Sequence, residues 1–424
     1  MDMNEVLRLM DRAQVVLIYY WGRSGSLFLQ SLLDSHPQVL TLPASAMMFF
    51  HTRQWDRIGR GRDARERIRL FCEYEQNQAL FDGTKDRTDG LGALGPGRDV
   101  PLSVDQAAFQ RHMLAILDAA GRSDRRTFFL AAHFAYALAR GEEVGGSDTI
   151  VYQMHSADPI AISSTLSDFP DRVRALGTVR HPMRALNSHL RMRRGYSRED
   201  PAYDGGANVE YHLMVGTGIF AGYYKLQLIG WSEAERYFAV PLLPVKLEDL
   251  HADPRGQMEK VAAWLGLRWD DRLLKSTFNG LEFWGDAQAV KPVQGFSTSH
   301  THYQGWQEQF DALDQFVVAG LLGKNFERFG YWELPFWHRP LCLLLILWPA
   351  KLERRALALA AGALLRLDHP GQALRSLLRI MRRIAERYDL SYRQFLKSIG
   401  WVEKFYLRFV APRRKLYFRY RPPR

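Results

Sequence analysis

Residues 15–37 read VVLIYYWGRSGSLFLQSLLDSHP and decide the fold of this chain. The first six, 15–20, form an apolar run rich in β-branched and aromatic side chains, which predicts a buried parallel strand. The next five residues, 22–26, are small except for Arg23 and predict a tight turn. After the turn, apolar residues recur at helical spacing and define one face of a predicted helix: Phe28, Leu29, Leu32 and Leu33.

The turn between this strand and this helix is suited to bind an anion. Gly22 and Gly25 allow the backbone to approach a ligand closely. The amide N–H groups at the start of the helix point into the turn, with the positive end of the helix dipole behind them. Arg23 adds a permanent charge and a planar set of donors. The turn is therefore predicted to bind phosphate, and a purely structural turn is the alternative.

The residues of this turn exclude two common phosphate-binding loops. The loop of the nucleotide triphosphatases ends in Gly-Lys-Ser/Thr, and the dinucleotide loop needs three spaced glycines. Here only Gly22 and Gly25 are available, and no lysine follows them in the turn. A phosphate site at this position therefore belongs to another kind.

A second strand and helix repeat this arrangement with different side chains. Residues 173–179 predict a strand, and Arg180 stands at its carboxyl end. Pro182 then opens a helix at a position where its missing N–H is tolerated. Ser188 follows Arg180 by about two helical turns. The arginine and the hydroxyl can converge on one anion, and an arginine that only pairs with a surface carboxylate is the alternative.

Together the two segments resemble the sulfotransferases that use 3′-phosphoadenosine-5′-phosphosulfate (PAPS). The first motif of that family, Arg-Ser-Gly-Ser/Thr-Thr-x-Leu, corresponds to residues 23–29, with His36-Pro37 at the end of the helix. The second motif, Arg-x-Pro followed by a serine, corresponds to residues 180–182 and Ser188.

Later stretches extend the resemblance over about residues 14–332. Residues 245–250 and 264–267 resemble the strand and helix that close the family's core. Residues 277–280 and 305–306 resemble the region that folds over the nucleotide. Each motif is short, but four motifs in the right order are far more specific than any one of them.

The resemblance implies which residues hold PAPS. The 5′-phosphosulfate is assigned to the first motif: Gly22, Arg23, Ser24, Gly25, Ser26 and Leu27. The 3′-phosphate is assigned to Arg180 and Ser188, and Arg23 also stabilises charge on the leaving oxygen. Leu27 stands where the family has its second hydroxyl residue, so that one side-chain contact is lost while the backbone N–H remains.

The family motifs leave open which residue takes the proton of an alcohol acceptor. Many members carry a glutamate shortly after His-Pro, whereas residues 41–48, TLPASAMM, contain no carboxylate. Histidine suits proton transfer near neutral pH. His155 follows the predicted strand 149–154, where cytosolic members place their catalytic histidine, and is therefore predicted as the base. The alternatives are His133, His51 and Lys85.

The rest of the chain alternates predicted strands and helices, which favours a parallel sheet with ligands at the carboxyl ends of its strands. Helices are predicted at 63–76 and 104–120, and the glycine-rich stretch 83–101 predicts a loop. The sequence thus predicts an α/β fold with a P-loop-like core, a central parallel sheet flanked by helices. Its strands are predicted near Val15, Val39, Thr127, Thr149, Val173 and Phe238.

Composition limits the class of protein. Hydrophobic residues make up 47% and charged residues 24% of the 424 residues, as in ordinary globular proteins. Two cysteines, Cys72 and Cys342, are too few for a disulfide framework, and no zinc spacing or other metal site is implied. Residues 1–14 carry acids early and lead straight into the first strand, unlike a secretory signal. The cytoplasm is therefore the expected compartment.

Positive charge is concentrated in the carboxyl-terminal part of the chain. From residue 331 onward, 16 Arg and 4 Lys stand against 6 acidic residues, a net charge of +14, whereas the whole chain carries +11. We expect a catalytic domain at 1–332 and a basic helical extension at 333–424. The apolar run at 341–348 is too short to cross a bilayer.

The extension also has a basic amphipathic pattern, which suits a membrane surface. Its apolar and basic residues are Leu374, Leu377, Leu378 and Met381, with Arg375, Arg379, Arg382 and Arg383. A solvated helical bundle is the alternative. Nucleic-acid binding is disfavoured, because a sulfotransferase has no evident use for it and it would leave the apolar run at 341–348 without a role.

These features predict a cytoplasmic, membrane-associated sulfotransferase that acts by in-line displacement on a hydroxyl of a lipid, glycolipid or saccharide at the inner face of the cell membrane. Arg191, Arg193 and Arg194 favour an acidic acceptor. One alternative is a small-molecule kinase with a degenerate phosphate loop. The other is a non-catalytic membrane-surface scaffold with the same fold, which the missing glutamate and Leu27 would support.

Overall fold

The computed structural model describes three stretches of the chain. They are residues 2–198 except 21, 87 and 156–158; residues 240–298 except 288–291; and residues 305–388 except 366–369, 372, 376, 383, 386 and 387.

Five parallel strands form the central sheet. In chain order they are β1 (Gln14–Tyr20), β2 (Val39–Thr41), β3 (Thr149–His155), β4 (Val173–Val179) and β5 (Leu242–Lys246). Their spatial order is β2-β3-β1-β4-β5, which places β1 in the middle. Tyr20 of β1 lies opposite His155 of β3, and Val15 lies opposite Val173 of β4. The predicted α/β fold with a parallel sheet is confirmed.

Strand β1 is apolar from Val15 to Tyr20 because both of its faces are buried. Val15, Leu17 and Tyr19 pack into one core cluster, while Val16 and Ile18 pack into a second cluster. Successive side chains of a strand point to opposite faces, so a strand with two buried faces shows no polar alternation. The turn that is predicted to bind an anion therefore follows a strand whose two faces are both buried.

Helices flank this sheet and form the carboxyl-terminal part. They are α1 (Met3–Arg12), α2 (Ser26–Leu33), α3 (Trp55–Ile58), α4 (Ala64–Cys72), α5 (Glu75–Gln78), α6 (Gln106–Ala120), α7 (Arg125–Ala139), α8 (Pro159–Asp168), α9 (Pro182–Arg198), α10 (Leu247–Ala252), α11 (Pro254–Leu265), α12 (Ala312–Phe326), α13 (His338–Leu345) and α14 (Lys351–Leu365). Shorter elements are a π-helical turn at Phe50–Gln54, 3₁₀ turns at Gly83–Lys85, Asp271–Leu274, Gly305–Glu308 and Glu327–Phe329, and a hairpin of β6 (Thr277–Phe278) and β7 (Leu281–Glu282). The described positions of 370–388 are helical.

The strand predicted near Thr127 is wrong, because this segment lies in helix α7. Asp124 caps the helix by accepting a hydrogen bond from the Thr127 amide at 3.0 Å. Every residue from 127 to 137 is buried. A continuous apolar run has no period that separates a buried helix from a buried strand, and the prediction therefore had no reliable basis.

Other predicted elements agree more closely with the structure. Helix α6 confirms the helix predicted at 104–120, whereas the helix predicted at 63–76 ends at Cys72 and is followed by the separate one-turn helix α5. The loop predicted at 83–101 holds a 3₁₀ turn and an isolated bridge between Leu94 and Val100. Phe238 lies outside the described residues, and the strand predicted near it is observed at β5.

By their internal contacts, the residues fall into two compact units. The first comprises Met1–Arg180 and Glu233–His302 and contains the whole five-stranded sheet; the second comprises His181–Ser232 and Tyr303–Arg424. The second unit thus joins helix α9 to the carboxyl-terminal helices. The predicted division into 1–332 and 333–424 stays a prediction. Within the described part of the chain, no helix combines the length and apolarity needed to cross a membrane.

Candidate anion-binding site

The turn after strand β1 has the backbone of an anion-binding loop. Arg23 and Gly25 both adopt left-handed conformations, with φ of +72° and +94°. A left-handed residue other than glycine is strained, and such residues concentrate at functional sites. A Cβ on Gly25 would lie 2.6 Å from Leu247 Cδ1, so this position has no room for a side chain unless Leu247 moves.

Helix α2 begins directly at the end of this turn without a side-chain cap. Its first internal hydrogen bond runs from the Leu29 amide to the Gly25 carbonyl at 3.0 Å. For the amides of residues 26–28, the described part of the chain supplies no acceptor. Such amides carry the positive end of the helix dipole, and an anion satisfies both the donors and the dipole.

The two serines of the turn are buried and anchor it to the neighbouring strands. The Ser24 hydroxyl lies 2.6 Å from the Thr178 hydroxyl of β4. The Ser26 hydroxyl donates to Gln153 Oε1 of β3 at 3.2 Å, and Gln153 Nε2 donates to Gln30 Oε1 at 2.6 Å. The serine side chains therefore fix the loop in place, while the backbone amides are the groups it offers to a ligand.

Arg23 and Arg180 both contribute to this loop. Arg23 Nη1 lies 2.8 Å from Asp286 Oδ2 in an ion pair whose side chains are each 17% exposed. Arg180, at the carboxyl end of β4, donates from Nη1 to the Arg23 carbonyl at 3.1 Å. The structure therefore brings two of the predicted arginines together, next to a carboxylate that the sequence analysis did not identify.

Ser188 lies on helix α9, in the second compact unit, and is half-buried. In the same unit, His181 stacks near Trp306 with ring centroids 6.3 Å apart and lies edge-on to Trp332 at 5.5 Å. The predicted role of Ser188 at a 3′-phosphate stays a prediction.

His155 and His133 occupy different kinds of position. His155 is the last residue of β3, as predicted, and its side chain lies outside the described part of the structure. His133 does not follow a strand: it lies inside helix α7, with Nδ1 2.8 Å from the Phe129 carbonyl oxygen. Burial lowers the pKa of His133 to about 4. A histidine buried in this way is a core residue, and His133 is a poor candidate for the base.

His51 is as poor a candidate for the base as His133, whereas Lys85 stays a sequence prediction. The His51 side chain is fully buried, with Nδ1 3.1 Å from the Tyr152 hydroxyl and Nε2 3.6 Å from Asp168. Burial lowers the pKa of His51, although Asp168 opposes this effect. Lys85 is largely exposed and lies 3.8 Å from Asp82.

Several buried polar residues had a signal in the sequence that was not used. Gln153 and Thr178 each stand between apolar neighbours in a buried strand, and Gln30 interrupts an apolar helix face. Buried polar side chains require partners, so polar residues at such positions indicate a hydrogen-bonded network. Asp286 carried no such signal, because it lies in an irregular segment.

Cys72 and Cys342 are buried free thiols. Among the residues whose placement is described, no group of three histidine, cysteine, aspartate or glutamate side chains is arranged to hold a metal ion.

Comparisons with known proteins give one family. A model of the sulfotransferase family matches residues 16–271, and no curated protein sequence matches the chain. Among solved structures, the sulfotransferase domain of the Synechococcus PCC 7002 olefin synthase is 17% identical with a TM-score of 0.40, covering 76% of this chain and 95% of that chain. Sulfotransferase STF9 from Mycobacterium avium is 13% identical with a TM-score of 0.34, covering 64% of this chain and 69% of that chain.

Proposed function

Because the chain belongs to the sulfotransferase family, we propose that it transfers a sulfuryl group from PAPS to a hydroxyl group of an acceptor. The loop at residues 22–25 is the observation that supports this proposal most strongly. It joins two left-handed residues to an uncapped helix, and Arg180 from the adjacent strand donates to its backbone.

In this proposal, two groups of residues bind different parts of the PAPS molecule. The amides of residues 24–27 and the Arg23 side chain bind the 5′-phosphosulfate. Arg180 and Ser188 bind the 3′-phosphate, which distinguishes PAPS from ordinary adenine nucleotides. Arginine suits both positions, because its planar set of N–H donors matches phosphate and sulfate oxygens.

Sulfuryl transfer leaves negative charge on the phosphate oxygen that departs. Arg23 and the amides at the start of α2 stabilise this charge, and donors held in place before the reaction need no reorganisation when the charge develops. Another group must take the proton of the acceptor hydroxyl. His155, at the end of β3, stays the sequence prediction for that group.

Titration calorimetry tests the choice of donor. The product nucleotide 3′-phosphoadenosine 5′-phosphate should bind about tenfold or more tightly than 5′-AMP and than ATP with magnesium. Arg180→Ala should weaken its binding by about 1.5–3 kcal/mol and abolish the preference over 5′-AMP. Arg172, which is exposed at the opposite end of β4, provides the matched control Arg172→Ala. Preference for ATP, or a 3′-phosphate preference that survives Arg180→Ala, would contradict the proposal.

We also propose that the acceptor is a lipid, glycolipid or lipid-linked saccharide and that the protein attaches to the inner, cytoplasmic face of the cell membrane. The described helical residues within 370–388 support this proposal by having two different faces. Ile380 and Ile384 pack against Ala356 and Ala360 of α14. The other face carries exposed apolar and basic residues: Leu374, Arg375, Leu378, Arg379, Met381 and Arg382.

Residues 336–348 expose a second group of apolar side chains. These are Phe336, Trp337, Leu341, Leu344, Leu347 and Trp348. Large apolar residues that are exposed together with arginines are typical of surfaces that enter the interface of an anionic bilayer. A solvated bundle explains the face that packs through Ile380, but it leaves these side chains without a function.

A further inference from the structure

A carboxylate from the loop at 83–101 reaches the stretch that follows strand β2. Asp89 Oδ2 accepts hydrogen bonds from the Ser45 amide at 3.1 Å and from the Ser45 hydroxyl. Oδ1 accepts a hydrogen bond from the Thr88 hydroxyl at 3.2 Å. A carboxylate has about four acceptor positions, and donors of the described residues fill three of them. The fold thus places a carboxylate against residues 41–48, which contain none of their own.

Asp89 is held against a segment near the end of the first unit. The Thr88 carbonyl accepts a hydrogen bond from the Ala287 amide at 3.1 Å. Gly90 has φ of +86°, and a Cβ there would lie 2.3 Å from the Gly285 carbonyl oxygen. Only glycine permits this close approach of two backbones. The position of Asp89 is therefore fixed on both sides along the chain.

This segment, 285–287, connects Asp89 to the anion-binding loop, because Asp286 pairs with Arg23 at 2.8 Å. Strand β1, whose last residue is Tyr20, leads into the same loop. Burial, and then the nearby charge of Asp89, raise the pKa of the Tyr20 hydroxyl. The backbone contacts of residues 88 and 90 with segment 285–287, and the Asp286–Arg23 ion pair, therefore link Asp89 to the loop that binds the sulfuryl donor in the proposed function.

The surroundings of Asp89 make its carboxylate more basic than that of an ordinary aspartate. Burial is the largest cause of its raised pKa, and the charge of Asp86 adds to it, while the donors on Ser45 and Thr88 oppose it. Among the described residues, Asp86 and Tyr20 are ionisable groups close enough to interact with its charge. The backbone around it is rigid, since Asp86 accepts hydrogen bonds from the Asp89 and Leu91 amides. A positioned carboxyl of raised pKa is suited to accept a proton near neutral pH.

We propose that Asp89 is the general base and takes the proton of the acceptor hydroxyl. This assignment rests on the proposed sulfuryl transfer from PAPS. As the hydroxyl oxygen bonds to sulfur, its proton passes to Asp89 and the bond between sulfur and the phosphate oxygen breaks. That oxygen keeps the electron pair and leaves as part of 3′-phosphoadenosine 5′-phosphate. The Asp89 carboxyl then releases its proton to water.

The experiment follows label from sulfur-labelled PAPS into a total lipid extract in detergent micelles and, without lipid, into free sulfate formed with water. Asp89→Asn keeps the shape of the side chain and should lower both rates by about 10²–10⁴-fold. Its affinity for 3′-phosphoadenosine 5′-phosphate should stay unchanged, which shows that the loop is intact. Asp99→Asn removes an exposed carboxylate from the same loop and is the matched control, with rates expected to stay unchanged.

A second variant separates a base from a structural carboxylate. Ser45→Ala removes a donor that lowers the pKa of Asp89, so the acid limb of the pH–rate profile should move to higher pH. His155→Ala is measured alongside it, because His155 is the base predicted from the sequence. Wild-type rates in Asp89→Asn, or an acid limb that Ser45→Ala does not move, would overturn the assignment of Asp89. Wild-type protein that binds no 3′-phosphoadenosine 5′-phosphate would overturn the proposed function instead.

Discussion

Arg23 is already paired in this structure, and its partner bears the same sign of charge as the proposed ligand. Its guanidinium holds Asp286 at 2.8 Å with both side chains mostly buried. A phosphate that binds Arg23 must compete with this carboxylate and is repelled by it. We therefore expect Asp286→Asn to tighten binding of 3′-phosphoadenosine 5′-phosphate by about 1 kcal/mol, roughly fivefold.

Calorimetry measures this change directly, with Asp99→Asn as the exposed control in a neighbouring loop. Weaker binding by Asp286→Asn would contradict the expected competition. It would show that the Asp286 carboxylate orients the Arg23 side chain towards the nucleotide and does not compete with the nucleotide for it.

Gly25 should be sensitive for two physical reasons that variants can separate. Its φ of +94° strains any residue with a side chain, and a Cβ would also lie 2.6 Å from Leu247 Cδ1. We expect Gly25→Ala to lower the free energy of unfolding by about 1–2 kcal/mol and to weaken nucleotide binding. Gly266→Ala is the control for strain alone, because Gly266 has φ of +73° with no atom within 4 Å of the added Cβ.

Urea unfolding of both glycine variants measures the two contributions. The excess loss in Gly25→Ala is assigned to Leu247, and Leu247→Ala in the same background should remove the close contact. If Gly25→Ala and Gly266→Ala lose the same stability, the contact with Leu247 has no energetic weight.

The site residues differ in how far sequence could predict them. The loop at 22–26 was predictable because its glycines, its arginine and the helix start lie in one short segment. The position of Arg180 was predictable because parallel strands end at the same edge of a sheet. Asp89 and Asp286 were not, because they come from irregular segments whose placement depends on contacts formed across the whole first unit.

At the scale of a single element, helix α7 shows how burial lowers the pKa of a histidine and makes stability depend on pH. Burial lowers the pKa of His133 to about 4, so the folded protein keeps the ring neutral over most of the acidic range. The unfolded chain takes up this proton below about pH 6.5. Because the unfolded state binds more protons between these values, stability is full above pH 6.5 and falls as the pH drops towards 4.

We expect His133 to remove up to about 3 kcal/mol from the free energy of unfolding over this pH range. Urea unfolding at a series of pH values measures the slope. His133→Leu should reduce the slope of the free energy of unfolding against pH. Part of the slope should remain, because burial also lowers the pKa of His51. A slope unchanged in His133→Leu would show that the histidine is already protonated in the folded protein.

For the molecule as a whole, the sequence predicted the α/β class because buried parallel strands leave apolar runs that are easy to recognise. Helix α7 was missed because its apolar run has the same appearance. The sequence also did not predict one compact unit that contains helix α9 and the carboxyl-terminal helices. Such grouping depends on long-range contacts, among them the stacking of His181 near Trp306, and no local pattern reports them.

The distribution of charge and apolar surface leads to a prediction for the full-length protein. It should sediment with anionic vesicles, bind neutral vesicles less well, and be only partly released by high salt. Each basic residue near the surface contributes about 1 kcal/mol, and salt screens only this electrostatic part. Replacing Arg375 and Arg379 by glutamine should therefore weaken binding to anionic vesicles about 30-fold, with a smaller effect on neutral ones.

Replacing Leu374 and Leu378 by serine tests the apolar part, since these side chains are 49% and 58% exposed. This variant should weaken binding to both kinds of vesicle and should be released more completely by salt, because less apolar surface enters the interface. Thermal unfolding should be little changed in either variant, as none of the four residues belongs to the cluster around Ile380 and Ile384. If the full-length protein binds neither anionic nor neutral vesicles, the solvated bundle is favoured. The proposal of a lipid acceptor would then lose its main support.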